Sequence, residues 1–381
     1  MRFLEVLENY LKYKKRNMKK ATKIKMFDDS FGVLVEDDAT KSFLHPRYNF
    51  RFRKEDGLFL RWGATKEDDG DESIGLPEIC DMEISEVCEG VPGIGPCKFC
   101  YKSNTGNKGD MMSFETFKTI FHKLPPTITQ IAFGVGTLRR HPEMWDMFKY
   151  AKEHGVVPNL TINGDVDDHE FDKIAEYCGA CAVSIYDKDL SYDAVQKLTD
   201  RGMTQVNVHY MISEETYDGA LELMNDRLAD PRLAKLNAIV LLSLKPKGRA
   251  VKNNFTKLSQ DKFNNLVNFA MDNGIGVGFD SCSAQFFIKS IKNRTNAKQL
   301  ESFADSCEST IYSSYINCRS EFYPCSFAEG EGEWEKGISV TDCDNFITDV
   351  WNNKRVVKFR NKAIKCRNCG VSCSIYDLDN R

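Results

Sequence analysis

Three cysteines crowd one loop of this chain. Cys88 is followed by eight residues, then Cys97, then two residues, then Cys100, in EISEVCEGVPGIGPCKFCYK. A second group, Cys366-x2-Cys369-x3-Cys373, stands near the other end, and the whole chain holds 14 cysteines in 381 residues. What such thiols do depends on the compartment. The start, MRFLEVLENYLKYKK, has no apolar signal core and puts its charge after the apolar residues rather than before them. No apolar run approaches the ~20 residues needed to cross a bilayer. The chain therefore reads as cytoplasmic, with no membrane partner. Thiols there stay reduced, and crowded cysteines serve metals or catalysis rather than disulfides.

The rest of the sequence is that of an ordinary globular protein. Hydrophobic residues make up 41% and charged residues 28%, enough apolar side chains for a sizeable core. With 52 basic against 56 acidic residues the net charge is −4, so nothing global argues for a polyanion partner. Residues 1–75 form an N-terminal extension. Phe3, Val6, Leu7, Tyr10 and Leu11 repeat at helical spacing, and a basic run from Lys12 to Lys25 follows. Tyr48–Trp62 reads as strand, and the acidic KEDDGDES as a solvated linker.

From residue 76 to 295 strands and helices alternate. The strands expected are Met82–Val87, Ile128–Phe133, Pro158–Asn163, Ala182–Tyr186, Val206–Ile212 and Ala238–Leu244, with amphipathic helices between them. Ser113 suits a helix N-cap, and Gly155 and Gly202 suit helix ends. Six β-α units in a row imply a parallel sheet, as an open or closed barrel or doubly wound, with ligands at the C-terminal strand ends. Residues 296–381 lose the alternation and become cysteine-rich. They read as a small metal-stabilised domain, because so short and irregular a segment struggles to bury a core of its own.

A [4Fe-4S] cluster normally takes four thiolates, so three cysteines in one loop leave one iron free to chelate a small molecule. The loop, with Phe99 between the last two cysteines, resembles the signature of the radical S-adenosylmethionine (SAM) superfamily. It departs in having eight residues rather than three between the first two cysteines. Further along, FGVGTLRRHPE resembles the family's Gly-Gly-Glu-Pro and His-Pro segment, with Gly134 and Gly136 placed for close backbone approach and Thr137 in the glutamate position. Asn163 in Ile162-Asn163-Gly164 and Ser184 in Val183-Ser184-Ile185 end the third and fourth strands, as the family's SAM-binding residues do. The resemblance covers about residues 78–290. It implies a partial (β/α)6 barrel, a cluster held by Cys88, Cys97 and Cys100, SAM as cofactor, and a reductant such as flavodoxin or ferredoxin. It further implies reductive cleavage of SAM to a 5′-deoxyadenosyl radical that takes hydrogen from a substrate carbon.

The C-terminal stretch, NCRSEFYPCSF through CRNCGVSC, resembles the SPASM or "twitch" extension of that family, which holds auxiliary iron–sulfur clusters. Cys325, Cys366, Cys369 and Cys373 are the simplest ligand set for an auxiliary [4Fe-4S] cluster, with Cys307 and Cys318 as substitutes. A four-cysteine zinc site is the competing reading of the same spacing. Cys282, after a late strand, is a candidate hydrogen-atom donor, against the plainer role of a small buried hydrophobe. His209 is a candidate to face SAM or substrate, against that of a core histidine. Cys178 and Cys181 read as core.

Enzymes with this extension most often modify peptides or proteins, and that is the substrate class expected. The first alternative is modification or isomerisation of a nucleoside, a modified DNA base or an amino-acid adduct. Phosphate contacts would then come from Arg139, Arg140, Lys245 or the Lys12–Lys25 arm. The second alternative is a non-catalytic zinc-binding scaffold.

Overall fold

The computed structural model describes residues 23–26, 32–45, 48–63, 76–368 and 375. The helical stretch Phe3–Leu11, most of the Lys12–Lys25 arm, the acidic linker, Cys369 and Cys373 lie outside the described residues. Five short strands come first: β1 (Lys23–Met26), β2 (Val33–Glu36), β3 (Thr40–Leu44), β4 (Asn49–Arg53) and β5 (Phe59–Trp62). Each pairs antiparallel with the next. The N-terminal extension is thus a meander, of which only the last two strands were legible as strand. Leu34, Phe43, Tyr48 and Phe50 form its apolar layer, closed from beyond by Ile311 and Tyr312. The buried Lys41 Nζ donates 2.7 Å to Ile128 O and ties this sheet to the next.

The larger sheet begins with seven parallel strands: β6 (Ile79–Glu83), β7 (Gln130–Gly134), β8 (Val157–Ile162), β9 (Ala180–Ser184), β10 (Val206–Ile212), β11 (Ala238–Ser243) and β12 (Val277–Phe279). They lie side by side in chain order. The helices between them bury one face each. In Met144–Glu153 that face is Met144, Met147, Phe148 and Ala151, the i, i+3, i+4, i+7 stripe that seats a helix on a sheet. Caps fall where the sequence put them: the Ser113 hydroxyl accepts from the Thr116 N–H, and Gly155 and Gly202 follow helix ends. Among the described residues the sheet does not close, since β12 pairs only with β11. This is an open α/β barrel.

The first strand needs a correction. Expected over Met82–Val87, it ends at Glu83. Ile84 and Val87 are buried and so extend the apolar pattern, but after a last bond from Ile84 N–H to Gly134 O of β7, 2.9 Å, the chain turns onto its own loop, where Val87 bridges to Thr105.

After residue 300 the alternation stops, as expected, yet the sheet continues. β13 (Ser313–Ile316) runs parallel to β6, and β14 (Glu321–Tyr323) and β15 (Ile338–Ser339) follow antiparallel. This segment has ample apolar surface. Phe322, Trp334, Phe346, Trp351, Val356 and Phe359 join the same core as the barrel strands. Its packing therefore rests on aromatics from β14, the turn at Trp334, the helical turn Phe346–Trp351 and the helix Lys354–Asn368. No described helix is long and apolar enough to cross a membrane.

Candidate active site

The loop after β6 leaves and returns as two paired arms. Glu86 N–H donates to Asp110 O, Cys88 N–H to Thr105 O and Met112 N–H to Ile84 O, all within 3.0 Å. Cys88 sits on the outgoing arm; Cys97 and Cys100 sit at the tip, joined by a Cys100 N–H to Cys97 O bond of 3.3 Å. All three thiols are half-buried. The Cys97 and Cys100 thiols act on one another, which draws Cys100 down to about 5 and pushes Cys97 up, while burial pushes Cys88 up. A thiol kept near its thiolate form is the state that binds metal.

Successive strand ends hold this loop. After β7, Gly136 lies so close that a Cβ there would stand 2.2 Å from Val87 O and 2.7 Å from Cys88 Cβ, so only glycine fits. Thr137 N–H donates 2.9 Å to Val87 O, and the Thr137 hydroxyl accepts from Glu89 N–H at 2.8 Å. After β8, Asn163 Nδ2 donates 3.1 Å to Gly90 O. After β9, the Tyr186 ring stacks on Phe99 at 5.7 Å between centroids. After β11, Gly248 presses against Cys100 O and Tyr101 O. Arg249 then clasps the tip: its N–H donates to Cys100 O at 2.9 Å, Nε to Cys97 O at 2.8 Å and Nη1 to Asn104 O at 2.9 Å.

Of the residues singled out from the sequence, Cys88, Cys97, Cys100, Phe99, Gly136, Thr137 and Asn163 converge here. Ser184 ends β9 two residues before Tyr186, and Gly134 lies one strand-end residue back, paired with Glu83. Tyr186 and Arg249 were not expected. Both stand at C-terminal strand ends, where the fold rule places ligand contacts, and that position was the available signal.

Cys282 lies in the 3-10 turn Ser281–Ser283, just past β12. Beside it the buried Lys245 Nζ donates 2.8 Å to Asp280 Oδ2. Arg139 and Arg140 are likewise engaged, both with Glu89 and Arg139 also with Asp165. His209, on β10 in register with Ser184, is half-buried; burial draws its ring down to about 4, with Asp280 opposing. The folded ring is neutral at pH 7, whereas an unfolded histidine takes a proton near 6.5. Unfolding therefore takes up a proton between those values, and the fold loses stability as pH falls through about 6.5 to about 4. At the acid end the loss amounts to roughly 3 kcal/mol. Urea midpoints measured against pH should show this slope flattened in His209→Gln; parallel curves for the two proteins would refute it.

The second cysteine group is only partly in view. Cys366 lies within the helix Lys354–Asn368, but its side chain is outside the described residues, as are Cys369 and Cys373. Cys325 and Cys307 are half-buried. The residues after Cys325 fold onto the first loop, with Phe327 packed on Tyr101 at 4.6 Å between ring centroids. Cys318 is buried beside Glu83 and Glu86, all three ligating atoms within 4.8 Å of one another. Glu83 is already paired with Lys102 and Glu86 with Arg319, so these carboxylates are neutralised within the protein.

An open parallel sheet thus carries three clustered thiols in the loop after its first barrel strand. The fold is similar to that of SuiB of Streptococcus suis. The structure of SuiB bound to its precursor peptide SuiA is 13% identical in sequence, with a TM-score of 0.59 over 80% of this chain and 71% of that one. The structure of SuiB bound to S-adenosylmethionine is 14% identical, with a TM-score of 0.56 over 80% and 70%. The likeness is one of fold. No family model matches the chain, and no curated protein matches it.

Proposed function

We propose that this chain is a radical SAM enzyme that modifies a peptide or protein. The observation that carries the reading is the three-thiol loop, clasped from four strand ends at the C-terminal side of the sheet. When bound, a [4Fe-4S] cluster with three protein thiolates supplies the electron that cleaves SAM and so generates an adenosyl radical. The protein's part is positioning. Cys88, Cys97 and Cys100 hold the cluster; Gly136, Thr137, Asn163 and Arg249 fix the backbone that carries their sulfurs. Phe99 and Tyr186 stack at the loop tip.

The number of thiols favours a cluster over zinc, because a closed structural zinc site takes four protein ligands, whereas a [4Fe-4S] cluster with three leaves one iron open. SAM would meet Gly134, Gly136 and Ser184 at the strand ends, with Thr137 and Asn163 offering backbone groups, their side chains being engaged by the loop. His209 and Cys282 would line the substrate pocket.

We further assign residues 1–75 as an extension, 76–295 as the barrel and 296–381 as a SPASM-like unit. Cys325, Cys366, Cys369 and Cys373 are its cluster ligands. Cys307 is a substitute; Cys318, faced by two carboxylates, is a poorer one.

Two observations favour a peptide over a nucleotide. Arg139, Arg140 and Lys245, the basic groups nearest the site, are engaged in ion pairs. SuiB, which shares the fold, was solved with a precursor peptide. Protein purified without oxygen should contain iron and acid-labile sulfide, and should form 5′-deoxyadenosine from SAM with dithionite. Zinc as the sole metal would end the proposal. Steeply salt-sensitive binding to DNA would move the substrate to the nucleic-acid class, because counterion release drives such binding.

A further inference from the structure

Arg249 makes three hydrogen bonds to the cysteine loop, through its backbone N–H, Nε and Nη1. Its remaining terminal nitrogen, Nη2, is fully buried and, among the described residues, meets no hydrogen-bond acceptor. A buried guanidinium donor without a partner is costly, because its hydration is lost and nothing replaces it. Nothing in the loop's own folding explains that cost. The side chain stands among sulfurs: its charge acts on Cys88, Cys97 and Cys100 alike. Gly248 permits this approach, since a Cβ there would stand 2.6 Å from Cys100 O and 2.4 Å from Tyr101 O. Asn253 Nδ2 donates 2.8 Å to Lys98 O and steadies the same contact.

We propose that Arg249 is a positioning and charge-setting residue for the sulfur-bound cluster: its Nη2 and its positive charge stabilise the cluster's reduced form and raise its reduction potential. This rests on the radical SAM reading of the same loop. Reduction adds one electron, here from dithionite, to a group already ringed by thiolates, with no bond or proton changing hands. Each step makes the site more negative, and a fixed cation with a free donor counters that. Net charge and hydrogen bonds to sulfur are among the factors that set such potentials. Arginine suits the role because its planar fork binds two carbonyls and still presents a donor.

The test is a redox titration of the full-length protein, followed by electron paramagnetic resonance. The signal to follow is the one that changes on adding SAM, which separates the open-site cluster from any auxiliary one. In Arg249→Gln the ratio of reduced to oxidised cluster at a fixed potential should fall about tenfold, which for a one-electron couple is a shift of about 59 mV downward. Arg249→Lys keeps the charge and loses the fork, and its ratio should stay within about threefold of wild type. Unchanged titration of Arg249→Gln at wild-type iron content would overturn the proposal, as would a lysine variant displaced as far as the glutamine one. Should Arg249→Gln fail to take up iron, the lysine variant decides alone: a potential near wild type supports the role, and a tenfold displacement overturns it. A wild-type protein with no SAM-responsive signal would refute the radical SAM reading instead.

Discussion

Cys88→Ala, Cys97→Ala and Cys100→Ala should each abolish formation of 5′-deoxyadenosine from SAM under dithionite. The expectation of three equal losses follows from the division of labour in the loop. Each sulfur would hold one iron, and no other thiol among the described residues joins this loop. The backbone that carries the sulfurs is held separately, by Thr105, Thr137, Asn163 and Arg249. Removing a sulfur therefore leaves the loop folded, and thermal midpoints of the metal-free proteins should stay close to wild type. Iron should fall from about eight per chain to about four in the triple variant, for two [4Fe-4S] clusters reduced to one. A single variant that cleaves SAM at the wild-type rate would show that its cysteine is not a ligand.

Trp351→Ala should be the most damaging change outside the site, costing about 3–5 kcal/mol. Trp351 is fully buried, edge-on to Phe322 at 6.3 Å and capped by the Arg360 guanidinium at 4.7 Å. Phe322 is on β14, which pairs with β13, which pairs with β6. The cavity would thus open in the core shared with the barrel, and the variant should melt in one transition at a lower temperature. Two separate transitions in calorimetry, with the barrel unmoved, would show that the last segment folds by itself.

Much of this arrangement was legible in the sequence because strong periodicity and strand-end motifs reported on local structure. Val206–Ile212 alternates clearly and is β10 to the residue. Cys88, Cys97, Cys100, Gly136 and Asn163 announced themselves through motifs at strand ends. What escaped depended on contacts distant in sequence. The strands β1 to β3 are four or five residues long and carry lysine, serine and threonine among their apolar positions, so they lack a clean pattern. Lys41 looks like a surface residue until Ile128 O accepts its proton. Arg249 lies in KPKGRAVKNN, which reads as a solvated basic turn, and its acceptors are some 150 residues earlier. Tyr186 lay in view at the end of an expected strand, but its stacking on Phe99 follows only from the fold.

The pairing of β13 with β6 also bears on how the protein is made. Ile79 finds its partner Ser313 more than two hundred residues later. At about 5–20 residues per second of synthesis, one edge of the first barrel strand stays open for tens of seconds. An unpaired strand edge invites pairing with another chain, so a nascent chain of this kind depends on shielding by a chaperone or by its own early helices. Over the same interval the cysteine loop is already complete, while Phe327, which later packs against Tyr101 beside it, has yet to be synthesised. The order of translation thus leaves the thiol loop uncovered on that flank until the C-terminal segment is made.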